Sequence, residues 1–310
     1  MKETAIFYDT FLCTACKGCQ VACKCWNDLP SSLELNSHKF SGSYQNPPDL
    51  GSETRLIMTF NENEGGSKGV EWAFGRRSCQ HCTNAACVDI CPAGALYRDP
   101  ETGMVTTDES KCIGCQYCSS ACPFDVPRYH GPKGTINKCT GCVDRIANGM
   151  APACVTSCQA GALQFGTRQE MMALAEKRLR DLKLRGFDKA CIYGSEEMGG
   201  LHVIQVLKYG KEAHGMPENP QANPLSGAIS LMKPVTAVAT GVTVAGLAAM
   251  FLMGTGYKRD EKVYNEYTED TIIVETGEVV KHGDAPSDMT VAEHLCENMP
   301  FGPKKGGKDE

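Results

Sequence analysis

Nineteen cysteines occur in this chain of 310 residues, and sixteen of them fall into four groups of four. Cys13, Cys16, Cys19 and Cys23 are spaced C-x2-C-x2-C-x3-C. Cys79, Cys82, Cys87 and Cys91 follow as C-x2-C-x4-C-x3-C, with Pro92 next. Cys112, Cys115, Cys118 and Cys122 repeat the first spacing, with Pro123 next. Cys139, Cys142, Cys154 and Cys158 stretch to C-x2-C-x11-C-x3-C. Closely spaced thiolates with a further one three residues on form a ligand pattern for [4Fe–4S] clusters. Four such groups predict four clusters and a fold built around them.

A cubane needs one thiolate per iron, and a C-x2-C-x2-C loop wraps three corners in one turn, its N–H groups aimed at sulfur. Gly18, Gly114 and Gly141 each precede a cysteine. They are expected to supply backbone conformations that only glycine adopts cheaply. Pro92 and Pro123 are expected to turn the chain away after the fourth ligand.

In two-cluster ferredoxins the fourth cysteine of each motif ligates the other cluster. Groups two and three lie close in sequence and read as one such unit. Cys79, Cys82, Cys87 and Cys122 are therefore assigned to one cluster, and Cys91, Cys112, Cys115 and Cys118 to its neighbour. Groups one and four then pair across the chain. Cys13, Cys16, Cys19 and Cys158 hold a third cluster, and Cys23, Cys139, Cys142 and Cys154 a fourth. All groups are complete, so no three-iron cluster is expected.

Other cysteine chemistries fit less well. Disulfide frameworks belong to short secreted chains, whereas this one is long, has an odd cysteine count and opens with no apolar leader over Met1 to Leu12. The fourth group alone resembles a zinc site, but the triple-cysteine runs point to iron and sulfide. Cys25, Cys191 and Cys296 stand outside the pattern.

The net charge is −6. Residues 258–310 carry seven Lys or Arg against thirteen Asp or Glu, so the tail accounts for all of it. Arg76, Arg77, Arg128, Lys138 and Arg145 flank the cysteine groups, as local counter-charges or as solvated surface cations. No basic stripe with interleaved aromatics is present, and no nucleic-acid binding is expected.

The predicted fold class is α+β: two ferredoxin-like units related by pseudo-symmetry, each with two [4Fe–4S] clusters, plus one C-terminal transmembrane helix. Residues 1–29 and 133–166 form one unit and 75–132 the other. An insertion, 30–74, carries two strand-like runs, Thr54 to Phe60 and Val70 to Phe74, read as a hairpin joined by Asn61 to Gly69. In the covering region, 167–232, a helix is predicted from Thr167 to Gly186. Thr167 and Glu170 form its capping box, and Met172, Leu174, Leu179 and Leu182 share a side. Leu201 to Lys208 reads as a strand. An anchor at 233–257 and the acidic tail, 258–310, complete the chain.

The anchor rests on Val235 to Tyr257, which contains no charge and at about 1.5 Å per residue is long enough to span a bilayer core. Ala237, Gly241, Ala245 and Ala249 recur every fourth residue, a stripe that lets another membrane helix approach closely. Lys258, Arg259 and Lys262 follow the span, against Lys233 before it. That asymmetry predicts a cytoplasmic tail and a periplasmic cluster body.

Several further motifs carry a resemblance. They are Cys142-Val143-Asp144-Arg145, Pro152-Ala153-Cys154-Val155, Phe165-Gly166-Thr167, Gly199-Gly200-Leu201-His202-Val203 and His214-Gly215-Met216-Pro217-Glu218-Asn219-Pro220. Together with the cysteine groups and Lys233-Pro234, they make the chain similar to the iron–sulfur (beta) subunits of respiratory molybdenum and tungsten enzymes. Within these it most resembles the membrane-bound, nitrate-inducible type of formate dehydrogenase, over residues 4 to about 260. Gln159 stands where proline often follows the last cysteine, and Cys25 where an acid is usual; neither is a proposed ligand.

The resemblance implies a catalytic subunit with a molybdenum or tungsten pterin, this chain as a non-catalytic relay, and a membrane cytochrome b that passes electrons to quinone. It also implies an order. The Cys13–Cys16–Cys19–Cys158 cluster is nearest the catalytic subunit and the Cys91–Cys112–Cys115–Cys118 cluster nearest the haem. Export of the loaded body with a twin-arginine partner would explain how its thiols survive outside. The same scaffold serves hydrogenase, nitrate, polysulfide and sulfoxide reductase complexes, and a zinc-loaded interaction module is the alternative of another class.

Overall fold

The computed structural model describes residues 3–30, 43–66, 69–255, 262–264, 270–273 and 277–281. The chain divides into two compact units, Met1–Thr236 and Ala237–Glu310. All four cysteine groups lie in the first.

A four-stranded sheet anchors that unit, in the order β8 (Leu163–Thr167), β1 (Thr4–Asp9), β10 (Val203–Leu207), β9 (Cys191–Tyr193). Strand β1 is apolar at four successive positions because both of its faces are covered. Ala5 and Phe7 pack with Met171, Ala175 and Leu182 of the Arg168–Leu184 helix. Ile6 and Tyr8 point the other way, into a core with Cys19, Cys23 and Cys154. The pleat thus gives one strand two tasks. Its antiparallel pairing with β8 (Ile6↔Phe165, Tyr8↔Leu163) also draws the start of group one to the end of group four. The parallel pairing with β10 (Ile6↔Val203) had no counterpart in the sequence reading.

The Arg168–Leu184 helix carries the expected capping box: Thr167 Oγ1 accepts the Glu170 N–H, and the Glu170 carboxylate accepts the Thr167 N–H at 2.9 Å. Its buried stripe is Met171, Ala175 and Leu182, with Met172, Leu174 and Leu179 only partly buried. Met172, Leu174 and Leu179 still pack against the core that buries Leu182; the expected side left out Met171 and Ala175. Arg178 closes the stripe on the buried Asp9 of β1, at 2.5 Å.

The insertion folds as a hairpin of β2 (Ile57–Gly66) and β3 (Gly69–Arg77). Its strands run further than expected, because pairing continues through the polar tip as far as Gly66↔Gly69. Tyr44, Phe60, Trp72 and Phe74 pack along it, mostly edge to face, with ring centroids 5.4–6.2 Å apart. Short hairpins β4–β5 (Leu96–Arg98, Val105–Thr107) and β6–β7 (Arg128–His130, Thr135–Asn137) stand either side of group three.

His214 ties the chain after β10 to the hairpin. Its Nδ1–H donates to the Phe74 carbonyl at 2.9 Å, and Nε2 accepts the Tyr209 N–H at 3.4 Å. Burial pushes its pKa down from 6.5 to about 4. The unfolded chain therefore takes up this proton first as pH falls. Stability present above pH 6.5 is lost towards pH 4, by up to about 3 kcal/mol. Denaturant midpoints across that window should fall more steeply for the parent than for His214→Asn. Parallel curves would show that this histidine carries no such linkage.

A helix spans Pro224–Thr255, and three short antiparallel strands, β11 (Lys262–Tyr264), β12 (Thr271–Ile273) and β13 (Val279–Lys281), occur in the acidic tail. Among the described residues no helix is long and apolar enough to cross a membrane. The unbroken described side chains of the Pro224–Thr255 helix run from Val238 to Met253. Val238, Val242, Leu247 and Phe251 among them are exposed. Cys296 lies outside the described residues.

Candidate metal-cluster site

One backbone feature recurs in all four cysteine groups. The residue before the second cysteine of each C-x2-C is left-handed: Ala15 (φ 51°), His81 (φ 50°), Gly114 (φ 67°) and Gly141 (φ 73°). This kink turns the intervening N–H back towards the first sulfur. The Ala15 N–H reaches Cys13 Sγ at 3.4 Å, and the Gly141 N–H reaches Cys139 Sγ at 3.5 Å. Glycine is required sterically at Gly114, where a Cβ would stand 2.3 Å from the Gly134 carbonyl oxygen. The expectation for Gly18 is corrected: it opens the Gly18–Trp26 helix, and Lys17 (φ 62°) takes the left-handed turn, as Gln116 (φ 62°) does in group three. After Cys91 and Cys122 the chain does turn, with Gly94 N–H donating to the Cys91 carbonyl and Asp125 N–H to that of Cys122.

The thiols converge as four sets. Cys13, Cys16, Cys19 and Cys158 line a small cavity with Tyr8 and Met58. Cys79, Cys82, Cys87 and Cys122 line a second. Cys91, Cys112, Cys115 and Cys118 line a third. Cys23 faces Cys139, Cys154 and Cys142. Two contacts hold that last set: Trp26 Nε1–H donates to Asp144 at 2.9 Å, and the Arg145 guanidinium lies over the Trp26 ring at 4.3 Å.

The donor set fits iron–sulfur cubanes. A single tetrahedral ion draws its sulfurs to about 2.3 Å from one point. Among the described residues no three of His, Cys, Asp and Glu are gathered closely enough to hold one ion. Three of the quartets each line one cavity, which offers a thiolate for each corner of a cubane. Burial pushes the Cys79 thiol up to about 11 and those of Cys19, Cys118 and Cys142 to about 12. Such groups are thiolates at neutral pH only when a cationic centre replaces their protons.

The flanking cations divide into two kinds. Arg77 and Arg128 share Asp49 and Asp125 at 2.6–3.1 Å on the surface. Arg76 and Lys138 are buried. Lys138 Nζ donates to the carbonyls of Val105 (2.7 Å) and Cys139 (2.9 Å), and its charge partly offsets the burial that pushes the thiols of Cys79, Cys87 and Cys122 up. Cys25 is exposed and Cys191 half-buried, and neither lines one of these three cavities. The sequence reading missed His81, whose Nδ1 accepts the Val105 N–H at 3.0 Å. Its place in the kink that glycine fills in two other groups was the available signal.

Comparison with known proteins agrees. A family model described as a 4Fe-4S dicluster domain matches residues 70–168. The formate dehydrogenase-O iron-sulfur subunit of Escherichia coli is 38% identical over 274 residues, 87% of this chain and 89% of that protein. The nitrate-inducible formate dehydrogenase iron-sulfur subunit of the same organism is 38% identical, over 79% of this chain and 83% of its own length. Formate dehydrogenase 2 subunit beta (cytochrome c-553) of Nitratidesulfovibrio vulgaris is 41% identical over 64% of this chain and 92% of its own. With its four cysteine quartets and this extent of similarity, the chain belongs to the family of iron–sulfur, electron-transferring subunits of formate dehydrogenases.

Proposed function

We propose that the chain carries four [4Fe–4S] clusters, one on each quartet, and is the non-catalytic relay of a formate dehydrogenase complex. It takes electrons from a molybdopterin (molybdenum or tungsten) subunit that oxidises formate and delivers them to a membrane cytochrome b and quinone. The observation that carries this reading is the convergence in space of quartets drawn from different sequence groups. A bound cluster supplies one-electron transfer; the protein supplies thiolates, N–H donors, buried cations and exclusion of water. Cys16 and Cys115 are the exposed cysteines of their quartets. Exposed Val21 lies on the helix that follows Cys16, and exposed Ile113 and Tyr117 flank Cys115. This exposure suits the two quartets to be the terminals; the resemblance implies that the first faces the catalytic subunit and the last the haem. Protein purified without oxygen should hold about sixteen irons and as many acid-labile sulfides. Stoichiometric zinc, or iron for two clusters only, would contradict the assignment.

We assign the uncharged run Val235–Tyr257 to a single membrane anchor that also meets lipid. The exposed apolar side chains from Val238 to Met253 support this, as do the cations that follow the run. The cluster body then lies in the periplasm and the tail in the cytoplasm. Protease added to spheroplasts should cut the body and spare a tag at Glu310; the reverse pattern would invert the topology.

A further inference from the structure

Arg76 and Arg77 are consecutive in β3, and the pleat sends them to opposite sides. Arg77 points outward to two carboxylates, Asp49 at 2.9 Å and Asp125 at 3.1 Å. Arg76 points inward and is 2% exposed. Its Nη1–H donates to Ser78 Oγ, its Nη2 stands 3.9 Å from Cys154 Sγ, and its Nε–H has no protein partner. Among the described residues no carboxylate lies within ion-pair distance of it. A buried guanidinium is always charged, and burying a charge without a counter-charge is strongly unfavourable. The groups facing it are sulfurs: Cys154 and Cys139 from one quartet and Cys19 from another. Its missing partner is therefore a negative charge on the far side of those sulfurs.

We propose that Arg76 is the shared counter-ion of the two clusters held by groups one and four, and that its positive charge raises the reduction potential of both. This rests on the assignment of clusters to those quartets. Reduction adds an electron to each cluster, so a fixed cation nearby favours the reduced form. The unpartnered Nε–H is a donor that a cluster sulfur accepts from. Lys138 stands beside Cys79, Cys87 and Cys122 and serves the next cluster. Among the described residues no buried Lys or Arg accompanies Cys91, Cys112, Cys115 and Cys118, which makes that cluster the internal reference.

The test is a redox titration of the full chain in its complex, followed by electron paramagnetic resonance, for the parent, R76Q and R76K. In R76Q the two clusters ligated through Cys19 and Cys154 should titrate lower by about tenfold in their oxidised-to-reduced ratio, or about 59 mV for one electron. The reference cluster should stay within about threefold, and R76K, which keeps the charge, should match the parent. An R76Q protein with full iron content and unmoved potentials overturns the proposal, as does one in which all four clusters shift alike. If R76Q does not load, R76K decides. Loading with parental potentials supports the charge; loading with lowered potentials, or failure to load, assigns the role to guanidinium shape and overturns it. A parent protein without iron would instead refute the cluster assignment itself.

Discussion

Cys122→Ser is expected to disturb the cluster bounded by Cys79, Cys82 and Cys87, although Cys122 belongs by sequence to the third group. Cys122 lines the same cavity as those three cysteines, and the backbone at Phe124 and Val126 hydrogen-bonds its sulfur. Cys118, one helical turn earlier, faces the neighbouring cavity with Cys91, Cys112 and Cys115. Replacing a thiolate by a poorer oxygen ligand should change or abolish the signal of one cluster and remove up to about four irons. Cys118→Ser should alter the other cluster and leave the first intact. Electron paramagnetic resonance of the two variants, compared with the parent, distinguishes the cases. Identical spectral changes in both would show that each sequence group holds its own cluster, and the exchange of fourth ligands would have to be abandoned.

What the sequence made legible was mostly local. Ligand spacing is a property of a few consecutive residues, so the groups could be read directly, as could the capping box at Thr167 and Glu170. The kinks were only half read. Attention fell on the glycines, whereas the turn belongs to a position, filled by Ala15 and His81 in two groups and by Gly114 and Gly141 in the others. Gly18 was misjudged for that reason. The adjacent arginines carried an unread signal too: a period of two along β3 sends Arg76 inward if Arg77 faces out. Non-local pairing was not legible. Strand β1 joins β10 in parallel across almost the whole folded unit, and no short-range pattern encodes a partner that distant.

Stripping iron from the protein is expected to unfold most of the first unit. Among the described residues, two of the three apolar cores are built around ligands. One holds Cys79, Cys118 and Cys139 with Cys82, Cys87, Cys91, Cys112 and Cys122 packed against it. Another holds Cys19, Cys23 and Cys154 with Cys13 and Cys158 beside it. Without clusters these cores surround empty space lined by thiols, and hairpins of three residues per strand, such as β4–β5 and β6–β7, have too little of their own to replace it. Binding of a structural metal is folding free energy, on the order of 10 kcal/mol for a tight site, more than a domain normally has in reserve. The third core is different. Ala5, Phe7, Met171, Ala175, Leu182, Ile204 and Val206 contain no ligand and need none. Chelation under reducing conditions should therefore abolish amide-exchange protection across residues 79–158 first. The Arg168–Leu184 helix and its contacts with β1 and β10 should retain protection longest. Uniform loss would mean that the sheet and helix depend on the clusters as fully as the loops do. Unchanged protection throughout would mean that the cysteine-lined cores stand without metal, and that the clusters are guests of a preformed fold.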